Sequence, residues 1–123
     1  MIKFLAVFLG GGVGAMARYF VTTMLAGKLG NFPIGTLTVN IFGSLFMGLL
    51  SGIFIGKSGG NYEMLRLLFA VGFCGGFSTL AAFSIETLLL FQNGHIFSAV
   101  INSILTFSTG LAACAVGFTL THH

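Results

Sequence analysis

No Asp, Glu, Lys or Arg occurs between Lys28 and Lys57, and none follows Glu86. Uncharged stretches of that length constrain the fold strongly, because one bilayer crossing needs roughly 20 apolar residues in a helix. The gaps between charges mark four spans, at about 4–26, 34–56, 64–91 and 96–120. Between them lie segments with turn chemistry: Gly27-Lys28-Leu29-Gly30-Asn31-Phe32-Pro33, Gly56-Lys57-Ser58-Gly59-Gly60-Asn61 and Gln92-Asn93-Gly94-His95. Pro33 suits the first turn of the second helix. Charged residues make up 6% of the 123 and hydrophobic residues 56%. A chain this apolar has no surface to show water. The expectation is an all-α integral membrane protein, a multi-pass single domain of four transmembrane helices covering residues 1–123.

Several other readings lose ground on the same residues. Lys3 and the run after it resemble a signal peptide, but the run continues past Arg18 without a clear cleavage site, so it reads as a retained first span. The net charge of +3 is too thinly spread for nucleic acid. Cys74 and Cys114 fall inside apolar spans and read as small buried hydrophobes. Gly10-Gly11-Gly12-Val13-Gly14-Ala15 contains a G-x-G-x-x-A match. That fingerprint needs a βαβ unit and an acidic residue about 20 positions on, and the first span offers neither. The terminal His122 and His123 are either native or a tag remnant.

The third span holds a run that lipid does not tolerate in the open: Gly75-Gly76-Phe77-Ser78-Thr79-Leu80-Ala81-Ala82-Phe83-Ser84-Ile85-Glu86. Unpaired backbone groups at bilayer depth must face protein or a wet cavity. The expectation is a helix broken near its middle, ending at Gly75-Gly76 and restarting near Ser78 or Thr79, both acceptable N-caps. The N-terminus of the second half attracts anions, and the carbonyls ending the first attract a cation. A plain kink is the competing reading. Taking a small ion out of water costs on the order of 20 kcal/mol. One helix terminus returns at most about 2 kcal/mol. An ion path therefore needs a succession of polar groups.

The sequence supplies candidates for that succession. Ser98, Asn102 and Thr106 recur every fourth residue on the fourth span, with Thr109 close to the same line. Asn40 stands alone among Val39, Ile41 and Phe42, and its amide offers two N–H donors. Each reads either as path lining or as hydrogen-bond glue between helices. Arg18 and Glu86 are the charges at membrane depth, as functional groups, as an ion pair, or with Arg18 reaching to the interface. Phe83 follows the break by a turn, where its ring edge can face an anion. Small residues recur at helix-packing spacing: Gly10 and Gly14; Ser44, Gly48, Gly52 and Gly56; Gly72 and Gly76; Thr109, Ala113 and Gly117. Four short spans scarcely enclose a pore alone, so a homo-oligomer is expected, a dimer being the simplest. The positive charges are split weakly between the two sides, which permits insertion either way up.

Taken together, Gly14-Ala15-Met16-Ala17-Arg18-Tyr19, Gly35-Thr36-Leu37-Thr38-Val39-Asn40-Ile41-Phe42-Gly43-Ser44 and the third-span run resemble the Fluc (CrcB) fluoride channels of bacteria over nearly the whole chain. The resemblance implies an antiparallel, dual-topology homodimer in the bacterial inner membrane, with two pores that export fluoride passively and no enzymatic activity. It implies a structural sodium ion at the dimer centre, held by backbone carbonyls that match Gly75 and Ser78. Asn40, Phe83, Ser84, Asn102 and Thr106 are the expected pore lining, and Arg18 attracts anions at the mouth. The family's pore motif usually reads Thr-Thr-Phe-Ser-Thr-Phe-Ser. Here Leu80, Ala81 and Ala82 stand in place of the first Phe and the Ser and Thr after it. Leucine has no quadrupole and alanine no hydroxyl, so weakened conduction is expected. Two rivals remain at this point. A small dual-topology multidrug exporter also has four short helices, but those resemble one another by an acid in the first helix and by Trp, and both are missing here. The other is a non-transporting membrane scaffold.

Overall fold

In a computed structural model, which describes residues 1–122, the chain forms four long apolar helical spans; His123, part of the terminal histidine pair, lies outside the described residues. The first span is α1 (Ile2–Leu25) and the second is α2 (Ile34–Phe54). The third is built in pieces. It comprises α3 (Gly60–Leu65), a π-wound stretch (Arg66–Cys74), α4 (Gly75–Phe77) and, after a break, α5 (Leu80–Gln92). The last span is α6 (Ile96–Thr121). All four are long and apolar enough to cross a membrane.

Two seams hold the spans together. Along the first, α1 lies on the π-wound stretch and α4. A Cβ on Gly10 would strike the Leu68 carbonyl, one on Gly14 the Phe73 carbonyl, and one on Gly76 the Gly11 carbonyl. Along the second, α2 lies on α6. Here Gly48 meets the Cys114 carbonyl, Gly117 meets the Leu45 carbonyl, and Thr121 Oγ1 donates to Leu49 O at 2.8 Å. Lipid offers helices no hydrophobic reason to associate, so dispersion contacts at close range must do it. The small-residue stripes are thus used inside one protomer. Of the glycines that mimicked a nucleotide fingerprint, Gly10 and Gly14 belong to the first seam and Gly12 faces away from it.

The π-wound stretch was not legible in the sequence. Nine residues is long for a winding that occurs mostly as single-turn bulges, often at functional sites. A small core of Leu50, Phe54, Ala70 and Cys74 lies where α2 meets this stretch, with Met47 and Phe73 against it. Cys74 is buried there and Cys114 is partly buried, both as free thiols. At the membrane edge Lys3 pairs with Glu63 at 2.7 Å.

Candidate functional site

The third span breaks at Ser78 and Thr79, two residues past the glycines. Gly75 keeps helical angles (φ −64°, ψ −37°). Ser78 is extended (φ −87°, ψ 154°), as is Thr79 (φ −151°, ψ 127°). Gly76 serves close packing against α1 rather than flexibility. Thr79 is the N-cap of α5, its hydroxyl accepting from Ala82 N–H at 3.3 Å. The N–H groups of Leu80 and Ala81, in the first turn of α5, have no partner further back in that helix.

Two side chains from other spans close on this break. Asn40 of α2 binds the Thr79 backbone twice: Thr79 N–H donates to Oδ1 at 2.8 Å, and Nδ2 donates to Thr79 O at 3.2 Å. Arg18 of α1 donates through Nε to Gly76 O at 3.1 Å, placing a cation at the carbonyl end of the first half-span. Arg18 is not paired with Glu86, whose Oε1 is buried without a hydrogen-bond partner among the described residues. Gly43 lets α2 come close: a Cβ there would stand 2.9 Å from the Ser78 Cβ.

Beside the break lies an open groove of about 430 Å³, floored by Asn40 and Ser44 of α2. Ser78, Thr79, Leu80 and Phe83 form one wall, and Thr106, Phe107 and the α6 residues after them form the other. Phe83 is 7% exposed and meets Phe107 edge to face, with centroids 5.5 Å apart. Leu80, 66% exposed, stands at the rim. The structure therefore brings Asn40, Ser78, Leu80, Phe83 and Thr106 together. Ser84 lies outside this groove on an exposed face of α5, and Ala81 and Ala82 do not line it.

Asn102 is 1% exposed and turns toward α5 instead. Its Nδ2 donates to Thr87 Oγ1 at 3.0 Å, and Thr106 Oγ1 donates to its Oδ1 at 3.4 Å. The polar stripe of α6 divides here. Ala99 and Asn102 are buried against neighbours, whereas Thr106, Gly110 and Cys114 line the groove. Ser44 and Phe107 were missed by the sequence reading. Ser44 was visible one turn beyond Asn40; Phe107 carried no signal among so many phenylalanines.

A second cavity, of about 290 Å³, opens at the other end of α5. Thr22, Thr36, Glu86, Asn31 and Asn93 give it polar walls. Asn31 Nδ2 and His95 Nε2, 3.1 Å apart, join the two loops beside it. For a cation, the oxygen donors at the break are backbone carbonyls. The i→i+4 acceptor for Thr79 N–H would be Gly75 O, and that N–H goes to Asn40 instead. Gly75 is exposed, with open space where a Cβ would stand.

Residues 5–118 match the family model described as CrcB-like protein, Camphor Resistance (CrcB). The chain is 43% identical over 114 residues to a protein of Coxiella burnetii (strain Dugway 5J108-111) named fluoride-specific ion channel FluC, covering 92% of each. It is 40% identical over 123 residues to a Methylobacterium sp. (strain 4-46) protein of the same name, covering 100% of this chain and 98% of the relative. A third with that name, from Ruminiclostridium cellulolyticum (strain ATCC 35319 / DSM 5812 / JCM 6584 / H10), is 42% identical over 122 residues. With four membrane-spanning helices and matches that run nearly end to end, the chain is a multi-pass integral membrane protein that belongs to the CrcB family.

Proposed function

We propose that this chain forms half of a fluoride-specific ion channel, a passive exit for fluoride across the bacterial inner membrane. The relatives' shared name supplies the ion. The observation that carries the reading is the groove at the break: amide, hydroxyl and unpaired backbone groups line it, and it is open on the side of a membrane helix bundle. Hydrocarbon is not a permissible cover for such a surface. A second copy of the chain covers it, placed antiparallel, so that each groove becomes a closed path.

Along that path the anion meets successive donors rather than one strong site. Asn40 keeps one amide hydrogen after binding Thr79, since an amide carries two. Ser44 and Thr106 offer hydroxyls, and the first turn of α5 offers N–H groups at its positive end. The ring edges of Phe83 and Phe107 present positive quadrupole. Hydrogen bonds to a charged group contribute roughly 1.5–3 kcal/mol each. Several in series, with retained water, offset a desolvation cost on the order of 20 kcal/mol.

A sodium ion fits the break on donor chemistry. It is a hard cation that prefers oxygen, and Gly75 O and Ser78 O from two copies would face it at the dimer centre, where a bound ion ties the copies together. Conduction is weakened because Leu80 brings no quadrupole to the rim. The test is efflux of fluoride from liposomes reconstituted with the protein, followed with a fluoride-selective electrode. Efflux above that of protein-free liposomes supports the reading, and its absence, also after Phe, Ser and Thr are restored at 80–82, contradicts it.

A further inference from the structure

Asn40 grips the break by both ends of its amide, in the way one extended strand pairs with another. The 2.8 Å bond from Thr79 N–H and the 3.2 Å bond to Thr79 O use the whole peptide-like edge of the side chain. What this does to the helix ladder is specific. Ser78 N–H still closes a helical turn on Cys74 O at 3.1 Å, and Ser78 Oγ adds a bond to the same carbonyl at 2.9 Å. The next rung would run from Thr79 N–H to Gly75 O. It runs to Asn40 instead.

We infer that Asn40 is the positioning residue that keeps the Gly75 carbonyl open for a cation. It gives Thr79 N–H a substitute acceptor, so the helix does not consume Gly75 O. A backbone N–H inside a bilayer must find an acceptor. Without Asn40, the acceptor nearest in sequence is Gly75 O, and closing that rung takes one of its two lone pairs and turns the carbonyl into the helix ladder, away from a cation. A Cβ at Gly75 would meet nothing within 4 Å, and the extended Ser78 turns its own carbonyl out of the ladder. One side chain then serves two ions: Oδ1 holds the cation seat, and the spare amide hydrogen faces the groove. The inference rests on the sodium reading above.

The test is the unfolding midpoint of the purified full-length protein in detergent, titrated with sodium chloride against N-methylglucamine chloride at constant ionic strength. A ligand that binds the folded state raises the midpoint with concentration, which yields an apparent affinity. The wild-type midpoint rises with sodium. Asn40→Ala lowers the apparent sodium affinity about tenfold, the equivalent of one net hydrogen bond. Asn40→Asp retains Oδ1 as acceptor and keeps the sodium response. A wild-type protein indifferent to sodium sinks the cation seat and this inference together. A responsive wild type with an equally responsive Asn40→Ala overturns the inference alone, as does an Asn40→Asp loss as large as that of Asn40→Ala. Where Asn40→Ala does not survive purification, amide exchange of wild-type Thr79 decides. Protection held with and without sodium supports Asn40 as the acceptor, and protection lost on adding sodium overturns it.

Discussion

Leu80 stands at the rim of the groove, two-thirds exposed, one turn before the buried ring of Phe83. An aromatic edge contact contributes about 0.5–1.5 kcal/mol, and a barrier lowered by about 1.4 kcal/mol speeds passage tenfold. The triple change Leu80→Phe, Ala81→Ser, Ala82→Thr is therefore expected to raise fluoride efflux from liposomes by up to about tenfold; equal rates would show that these positions do not limit conduction. Asn102 behaves differently because it is packed between helices. A double-mutant cycle of Asn102→Leu and Thr87→Val is expected to give a coupling of about 0.6 kcal/mol, the usual worth of an interhelical hydrogen bond in a membrane; zero coupling would remove the tie between α5 and α6. The sequence named both Asn102 and Thr106 from their spacing of four, but spacing does not say which neighbour a face meets. Asn102 meets α5 and Thr106 meets the groove, and only the packing separates them. Asn40 was legible as a lone amide in an apolar span; its pair of hydrogen bonds with Thr79, thirty-nine positions away, was not.

Among the elements, the broken third span was legible and its mechanics were not. The glycines marked the region, but Gly75 is helical and Gly76 is a packing surface, while Ser78 and Thr79 carry the break. Short polar residues that satisfy backbone groups locally favour such interruptions. The π winding from Arg66 to Cys74 left no mark in a uniformly apolar run. The seam between α1 and the third span gives a sharp prediction. Gly14→Val places side-chain atoms on the Phe73 carbonyl, whereas Gly12→Ala has nothing within 4 Å to meet. On size exclusion, Gly14→Val is expected to fail as a monodisperse species and Gly12→Ala to elute like wild type. Intact Gly14→Val would mean that the seam tolerates separation.

At the scale of the whole molecule, one protomer leaves on its flank an open groove with amide and hydroxyl groups set among apolar walls, and the proposed channel depends on what closes it. Four apolar spans and a nearly complete absence of charge made the membrane class legible. The groove was not legible as a shape, because it needs α2, α5 and α6 placed together. The amide and hydroxyls along it are what the proposed second copy would cover, and the family relationship points to fluoride as the anion. The most direct measurement compares fluoride and chloride efflux from liposomes carrying the chain with Phe, Ser and Thr restored at 80–82, using ion-selective electrodes under equal gradients. Rapid fluoride release with chloride retained is expected of a fluoride-specific path; chloride leaving as fast as fluoride, or neither ion leaving, would overturn it.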